Sequence, residues 1–336
     1  ILSSERFKHL NELPINASEK PFSFFDRMSH YTLDCFNKES LDLVERMIDE
    51  FAPLFSSRYF NICCDETLDL GKGRNAARVE TLGEGRVYVD FLKKVMDAVR
   101  KHQRIPMFWG DIIRKQPELI AELPEDVIAL TWAYSPGIKV ETHIRPFTEA
   151  GRRFYVCPGV TGWNRWVNDI QNATGNILEF AALGKEHGAA GFLNTNWGDY
   201  GHINCLANSY HGMILGAAAS WNAAQSQEWR QFDEAFSVLE MGDDTKTTAR
   251  LLREIGRLPI VNWKELSLWV DPSEDLSGRK RDETTGMFVN FMNSDSQSLI
   301  DAYHELLEKR RQLQTTASTA CPNDPQAYSE MLLGVQ

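Results

Sequence analysis

Two adjacent carboxylic acids, Asp65 and Glu66, stand directly after an apolar run, 59–64. An Asp-Glu pair by itself is usually a solvated turn or the cap of a helix. Here the apolar run predicts a strand whose end would place both carboxylates at the edge of a core, where desolvation raises the pKa of a carboxyl group. Enzymes that cleave glycosides by acid catalysis typically use two carboxyl groups in different environments.

Four indole side chains stand at or just after the ends of further apolar runs: Trp109, Trp132, Trp163 and Trp197. Two of them open matching Trp-Gly-Asp triplets, which end in Asp111 and Asp199. One triplet is explained by a packed indole followed by a capping Asp, whereas two triplets together with an Asp-Glu pair favour a binding site. Sugar rings stack their apolar C–H faces on indoles, and their hydroxyls bind carboxylates and amides. Tyr134 and Asn164, close to two of the indoles, are candidates for the same site.

Apolar runs alternate with helical periodicity over the first 221 residues. Strands are predicted over 59–64, 105–109, 127–132, 154–157 and 191–197, with helices over 41–51, 88–99 and 177–187. This alternation predicts a parallel sheet with right-handed crossovers. Each predicted strand ends in polar or aromatic groups, whereas a doubly wound sheet would collect such groups at one switch point. The pattern therefore favours an α/β fold of the (β/α)8 TIM-barrel type.

Five strands do not close an eight-stranded barrel. We therefore expect the N-terminal strands 1–3 to be missing from this chain and to come from a preceding segment or a second polypeptide. Residues 1–221 are assigned to a catalytic barrel containing strands 4–8. Residues 222–336 are assigned to a C-terminal helical extension, with helices predicted over 230–239, 245–258 and 296–314.

Composition excludes several classes of partner. A formal net charge of −11 over 336 residues argues against nucleic acid and disfavours anionic membrane surfaces. The six cysteines are scattered, which fits neither a disulfide framework nor a metal array. Cys63 and Cys64 are expected to be buried free thiols, and reduced thiols favour the cytoplasm. His202 and Cys205 beside Asp199 lack a partner cluster, so no metal and no cofactor is predicted.

The stretch 60–67, Phe-Asn-Ile-Cys-Cys-Asp-Glu-Thr, continued by 70–73, resembles the signature of the glycoside hydrolase family 20 β-N-acetylhexosaminidases. The segment 108–111 resembles the next strand end of that family, and 194–202 resembles its last. The resemblance covers about residues 1–221, with its motifs in the right order.

The resemblance implies an exo-acting, retaining enzyme that removes terminal β-linked GlcNAc or GalNAc from a glycan. The 2-acetamido group of the substrate would attack the anomeric carbon and form an oxazolinium-like intermediate, so that no protein nucleophile is needed. By resemblance, Glu66 is the general acid and then the base, and Asp65 orients the acetamido group. Asp199 would bind ring hydroxyls. The wall of the sugar pocket would be formed by Trp109, Trp132 and Trp197.

The chain departs from the family pattern in two places. The loop 158–165 has no Tyr to bind the acetamido oxygen, and either Tyr134 or Asn164 could replace it. The family's first-strand Arg and third-strand His would lie in the missing segment, and His9 and His30 are not at strand ends. Two alternatives stay open: another retaining glycosidase with Glu66 as acid and Asp199 as nucleophile, and a non-catalytic glycan-binding barrel.

Overall fold

The computed structural model describes residues 2, 4–14, 30–224, 226, 228–270 and 296–336. Its five strands are β1 (Tyr59–Asn61), β2 (Ile105–Trp109), β3 (Ile128–Trp132), β4 (Arg153–Cys157) and β5 (Gly191–Phe192). They form one sheet in the order β1-β2-β3-β4-β5. A sheet whose strands follow chain order without a reversal is of the barrel type and not doubly wound, so the predicted fold class is confirmed.

Each predicted helix overlaps an observed α-helix, although the one predicted over 177–187 begins seven residues earlier, at Ile170. In chain order they are α1 (Lys38–Phe51), α2 (Ala76–Leu82), α3 (Glu84–Lys101), α4 (Val140–His143), α5 (Arg145–Glu149), α6 (Ile170–Glu186), α7 (Tyr210–Trp221), α8 (Trp229–Leu239), α9 (Thr248–Ile255), α10 (Trp263–Val270), α11 (Ser296–Ala317) and α12 (Pro325–Leu333). The three helices predicted for the C-terminal extension correspond to α8, α9 and α11.

Contacts between residues divide the chain into two compact units. The first contains residues 1–132, 139–156 and 187–191, and the second contains 133–138, 157–186 and 192–336. The boundary predicted between residues 221 and 222 stays a prediction. In the parts of the chain that the structure describes, none of the helices has both the length and the apolar character needed to span a membrane.

The core of the first unit explains why the sheet forms where it does. β2 and β3 are buried along almost their whole length, as expected for strands of a parallel sheet that is covered on both faces. The amphipathic helices α1 and α3 bury Ile48, Val95 and Val99 in a cluster that also takes up the side chains of Phe60 and Ile62. The apolar side chains of β1 are thereby fixed at the point where the chain approaches Asp65.

The first strand is shorter than predicted. The ladder continues to Ile62, whose N–H donates to the Met107 carbonyl at 2.8 Å, and then Cys63 and Cys64 both take positive φ angles, 60° and 63°. These angles are incompatible with an extended strand. The prediction that both thiols are buried was also wrong for Cys63, which is exposed, while Cys64 is half-buried and all six cysteines are free.

The second unit is held by helix packing around two clusters. In one, Ile177 and Leu178 of α6 pack on Leu215 and Ala219 of α7. In the other, apolar residues of α8, α9, α11 and α12 form the core. Between α7, α8 and α9 lies a buried polar group formed by His211, Asp233 and Arg253.

Candidate active site

The register of the sheet gathers the candidate residues of the first unit at one edge. β1 pairs in parallel with β2, with Asn61 opposite Met107, and β2 pairs in parallel with β3, with Trp109 opposite Leu130. The carboxyl ends of neighbouring parallel strands share one edge of a sheet, which is where barrel proteins carry their functional groups. Five predicted residues follow or end these three strands: Asp65, Glu66, Trp109, Asp111 and Trp132.

The backbone that carries the acid pair has an unusual conformation, and it is anchored. Glu66, like the two cysteines before it, has a positive φ angle, 48°. Non-glycine residues with such angles cost about 1–3 kcal/mol each and persist only where surrounding contacts hold them. Two hydrogen bonds do so: Tyr88 Oη donates to the Cys64 carbonyl at 2.8 Å, and Trp109 N–H donates to the Cys63 carbonyl at 2.9 Å.

The two carboxylates of the pair differ in exposure. Asp65 is half-buried, and burial raises its pKa above its ordinary value. Glu66 is exposed, and its backbone N–H donates to Oδ2 of Asp111 at 3.1 Å. Asp111 is itself buried, and burial raises the pKa of its carboxyl group, with the charge of Asp65 adding to the effect. The second strand end therefore fixes the backbone of the first.

A tyrosine that the sequence analysis did not select also faces the acid pair. Tyr31 has a pKa raised to about 12, first by burial and then by the negative charges of Glu66, Asp69 and Asp65. Its backbone N–H donates to Oδ2 of Asp69 at 3.4 Å. With Asp65 it lines a largely apolar cavity of about 340 Å³. Tyr31 does not follow a predicted strand, so nothing in the sequence pattern selects it.

A buried polar clamp fixes the loop that follows the acid pair. The side-chain amide of Asn75 donates to Oδ1 of Asp34 at 2.7 Å and to the carboxylate of Glu12, and all three residues are buried. Gly73 lies so close that a Cβ there would be 2.0 Å from the backbone oxygen of Glu12. This explains Gly73: the loop and the N-terminal segment approach too closely there for a larger residue.

The second unit brings together three of its five candidate residues. Indole Nε1 of Trp197 donates to the hydroxyl of Tyr134 at 2.8 Å, and the ring of Tyr134 meets that of Trp163 edge to face, with centroids 5.0 Å apart. The backbone carbonyl of Tyr134 accepts a 2.6 Å hydrogen bond from the side chain of Asn172, a residue that sequence reasoning missed. Tyr134, Trp163 and Trp197 thus form an aromatic wall that includes the hydroxyl group of Tyr134.

The other two candidates of this unit are arranged differently. Asn164 has a positive φ angle, 65°, and its Oδ1 is buried without a hydrogen-bond partner among the described residues. Asp199 is exposed and begins a 3-10 turn, 199–201, that contacts α10. The negative charge of Asp199 also acts on Lys264 of that helix, whose pKa is nonetheless lowered by burial.

Two residues beside the first-unit site carry no signal in the sequence. Arg114 contacts both the imidazole of His143 and the backbone carbonyl of Trp132. The contact spans 29 residues, and no spacing rule would have paired them. Within the described ranges, no group of three or more His, Cys, Asp or Glu side chains is placed to hold a metal ion, and this includes His202 and Cys205.

The sequential sheet and the functional groups at its carboxyl edge define a protein of the α/β-barrel type. Its sequence matches no family model and no curated protein. Among solved structures, the chain is similar to a chitobiase from Flavobacterium johnsoniae, with 13% identity, a TM-score of 0.41, and coverage of 97% of this chain and 54% of that one.

Two further solved structures are similar to parts of the chain. One is a family 20 exo-β-N-acetylglucosaminidase from Vibrio harveyi in complex with N-acetylglucosamine, with 17% identity, a TM-score of 0.45, and coverage of 73% and 40%. The other is a family 20 β-N-acetylhexosaminidase from Streptomyces coelicolor, with 15% identity, a TM-score of 0.43, and coverage of 65% and 43%. The chain thus spans between 40% and 54% of the length of these three proteins.

Proposed function

We propose that this chain carries catalytic residues of a retaining β-N-acetylhexosaminidase that acts on terminal β-linked GlcNAc or GalNAc. The observation that carries the proposal is the acid pair at the carboxyl edge of the sheet. A half-buried Asp65 stands beside an exposed Glu66, and the Glu66 backbone is hydrogen-bonded to Asp111. Two neighbouring carboxyl groups in unlike environments suit two different roles on one sugar.

Each carboxyl group has a distinct task in this proposal. Glu66, the exposed member, protonates the leaving oxygen and later activates water. Asp65 orients the acetamido group of the substrate and stabilises positive charge on its nitrogen. The acetamido oxygen attacks the anomeric carbon as the glycosidic bond breaks, and water then opens the oxazolinium intermediate with retention of configuration.

The aromatic wall of the second unit is assigned to sugar binding. Trp163 and Trp197 offer indole faces to the C–H face of the ring, and Tyr134 is assigned as the donor to the acetamido oxygen. The 2.8 Å bond from Trp197 Nε1 makes the Tyr134 oxygen an acceptor, so the hydroxyl proton is directed elsewhere. Asp199, which is exposed, is assigned to ring hydroxyls.

The test is turnover of an aryl N-acetyl-β-glucosaminide and of an unactivated chitooligosaccharide. Glu66→Gln should lower kcat on the unactivated substrate by about 10²–10⁴-fold and have a smaller effect on the aryl glycoside, whose leaving group needs little protonation. Glu50→Gln, an exposed carboxylate on α1, is the matched control and should change neither rate.

An N-acetyl thiazoline inhibitor separates the mechanisms. Tight inhibition supports participation of the acetamido group. Turnover without such inhibition, abolished by Asp199→Asn, would instead indicate a glycosidase with a carboxylate nucleophile. Glycan binding that survives Glu66→Gln, with no turnover by the wild-type chain, would indicate a binding protein.

A further inference from the structure

A half-buried cation, Arg114, lies near the ends of β2 and β3. Arg114 follows Asp111 by three residues, and its Nη1 lies 2.6 Å from Nδ1 of His143 and 3.5 Å from the backbone carbonyl of Trp132. The guanidinium carbon is 5.6 Å from the centroid of the Trp132 ring, within the range of a cation–π contact. These contacts join three segments of the first unit.

The chemistry of the Arg114–His143 contact fixes the state of the histidine. A guanidinium group has only donors, so Nδ1 of His143 must accept, and the imidazole is therefore neutral. Burial and the charge of Arg114 lower the pKa of His143 to about 4, which keeps it neutral at physiological pH. The backbone carbonyl of His143 accepts a 2.7 Å hydrogen bond from Thr131 Oγ1, which ties α4 to β3.

Arg114 acts on two candidate site residues at once. One is Trp132, through the ring contact. The other is Asp111, because the positive charge of Arg114 lowers the pKa of that carboxyl group and opposes the effect of burial. Asp111 in turn accepts the N–H of Glu66. A continuous set of contacts and charges therefore runs from His143 through Arg114 to the backbone of the acid pair.

We propose that Arg114 is a positioning residue, anchored by His143, that sets the orientation of the Trp132 ring at the end of β3. Arg suits this task better than Lys, because its planar guanidinium can stack on the indole while an edge N–H binds the imidazole. The catalytic part of the proposal rests on the proposed hexosaminidase function, but the placement of Trp132 does not.

The first experiment compares Arg114→Ala and Arg114→Lys with wild type on an aryl N-acetyl-β-glucosaminide. Loss of the cation–π contact and of its orienting effect should raise KM about tenfold in Arg114→Ala. Millimolar guanidinium should restore much of the loss in Arg114→Ala, whereas Arg114→Lys should recover little, because the ammonium group lacks the planar fork. Unaltered KM in a folded Arg114→Ala protein, or a loss that guanidinium does not restore, would overturn the proposal.

The second experiment addresses the anchor. His143→Asn keeps an acceptor and should approach wild-type KM, whereas His143→Phe fills the space without an acceptor and should resemble Arg114→Ala. The matched control is His102→Phe, because His102 precedes β2 and so stands at the opposite end of that strand from Trp109. A His143→Phe protein with the KM of His102→Phe would show that His143 anchors nothing.

A measurement that needs no substrate tests the placement of Trp132 separately from the proposed hexosaminidase function. Near-ultraviolet circular dichroism should change in Arg114→Ala, return on addition of guanidinium, and stay unchanged in His102→Phe. If the wild-type chain shows no turnover, the proposed hexosaminidase function is wrong. The circular dichroism spectra still decide whether Arg114 positions the indole of Trp132. An unchanged spectrum in Arg114→Ala would overturn that placement.

Discussion

Oδ2 of Asp111 accepts a hydrogen bond of 3.1 Å from the backbone N–H of Glu66, and so joins the ends of β1 and β2. Asp111 was predicted to bind substrate because it closes a Trp-Gly-Asp triplet. Its buried position and this contact give it a structural part in the site, and whether it also touches substrate stays a prediction. The same contact explains how a residue with positive φ can hold one position at a strand end.

Replacing Asp111 should separate its hydrogen bond from its charge. Asp111→Asn keeps an acceptor for the Glu66 N–H, whereas Asp111→Leu removes it and lets the acid move. Because small displacements of catalytic groups are costly, we expect kcat to fall about 10²-fold in Asp111→Leu and less in Asp111→Asn. Steady-state kinetics on an aryl N-acetyl-β-glucosaminide measures this. Equal rates in both variants would mean that the hydrogen bond does not position Glu66.

Asp65→Asn should lower activity and raise stability. Burial raises the pKa of Asp65 in the folded chain, so between the unfolded and folded pKa values the native state binds more protons. Stability therefore falls as pH rises through that window and stays lower at neutral pH. We expect a higher Tm than wild type at neutral pH, with the difference shrinking on acidification towards about pH 4. Thermal unfolding across this range checks it.

The control for Asp65 is Asp244→Asn, since Asp244 is an exposed carboxylate in the second unit. It should leave both Tm and activity unchanged. A Tm of Asp65→Asn at or below that of wild type at neutral pH would show that the ionised carboxylate is not a source of instability in this loop.

Tyr134→Phe tests the aromatic wall of the second unit. The substitution removes the oxygen that accepts Trp197 Nε1–H at 2.8 Å, which should cost about 0.5–1.5 kcal/mol of stability. If Tyr134 donates to the acetamido oxygen, affinity for N-acetyl thiazoline should also fall. Inhibition constants and chemical denaturation measure the two effects. Tyr59→Phe, at an exposed tyrosine of β1, is the control and should alter neither.

The buried ion pair between Asp233 and Arg253 should contribute more to the stability of the second unit than an exposed ion pair does. Asp233 accepts from Nε and Nη2 of Arg253 at 2.8 and 2.7 Å and from Nε2 of His211 at 2.7 Å, and all three side chains are buried. Arg253→Met would leave the Asp233 carboxylate without its cation, which should lower the free energy of unfolding by about 3–5 kcal/mol. Chemical denaturation followed by circular dichroism gives this value.

Arg250→Met, three residues away on the same helix, is the matched control. Arg250 pairs with Glu254 at 2.9 Å on the surface, and such pairs contribute about 0–1 kcal/mol. A loss in Arg253→Met no larger than in Arg250→Met would mean that the buried pair contributes no more to stability than an exposed one.

The sequence alone determined the class of fold and the positions of most elements. β2 occupies the predicted residues 105–109, and α8 differs from the predicted helix by a single residue. These elements follow from hydrophobic periodicity, which is local: a buried strand or an amphipathic helix shows its pattern within a few residues. The candidates at the ends of β1, β2 and β3 were selected for the same reason, because barrel proteins carry functional groups at the carboxyl ends of parallel strands.

Only the tertiary structure decided how those candidates are held. Nothing in a Cys-Cys-Asp-Glu segment predicts three positive φ angles, since these conformations depend on Tyr88 and Trp109 holding the carbonyls. The pairing of Arg114 with His143 likewise joins segments 29 residues apart. Contacts between residues that are far apart in the sequence arise from packing and produce no periodic pattern in the sequence. Periodicity therefore located the ends of the strands, and packing placed the groups that stand there.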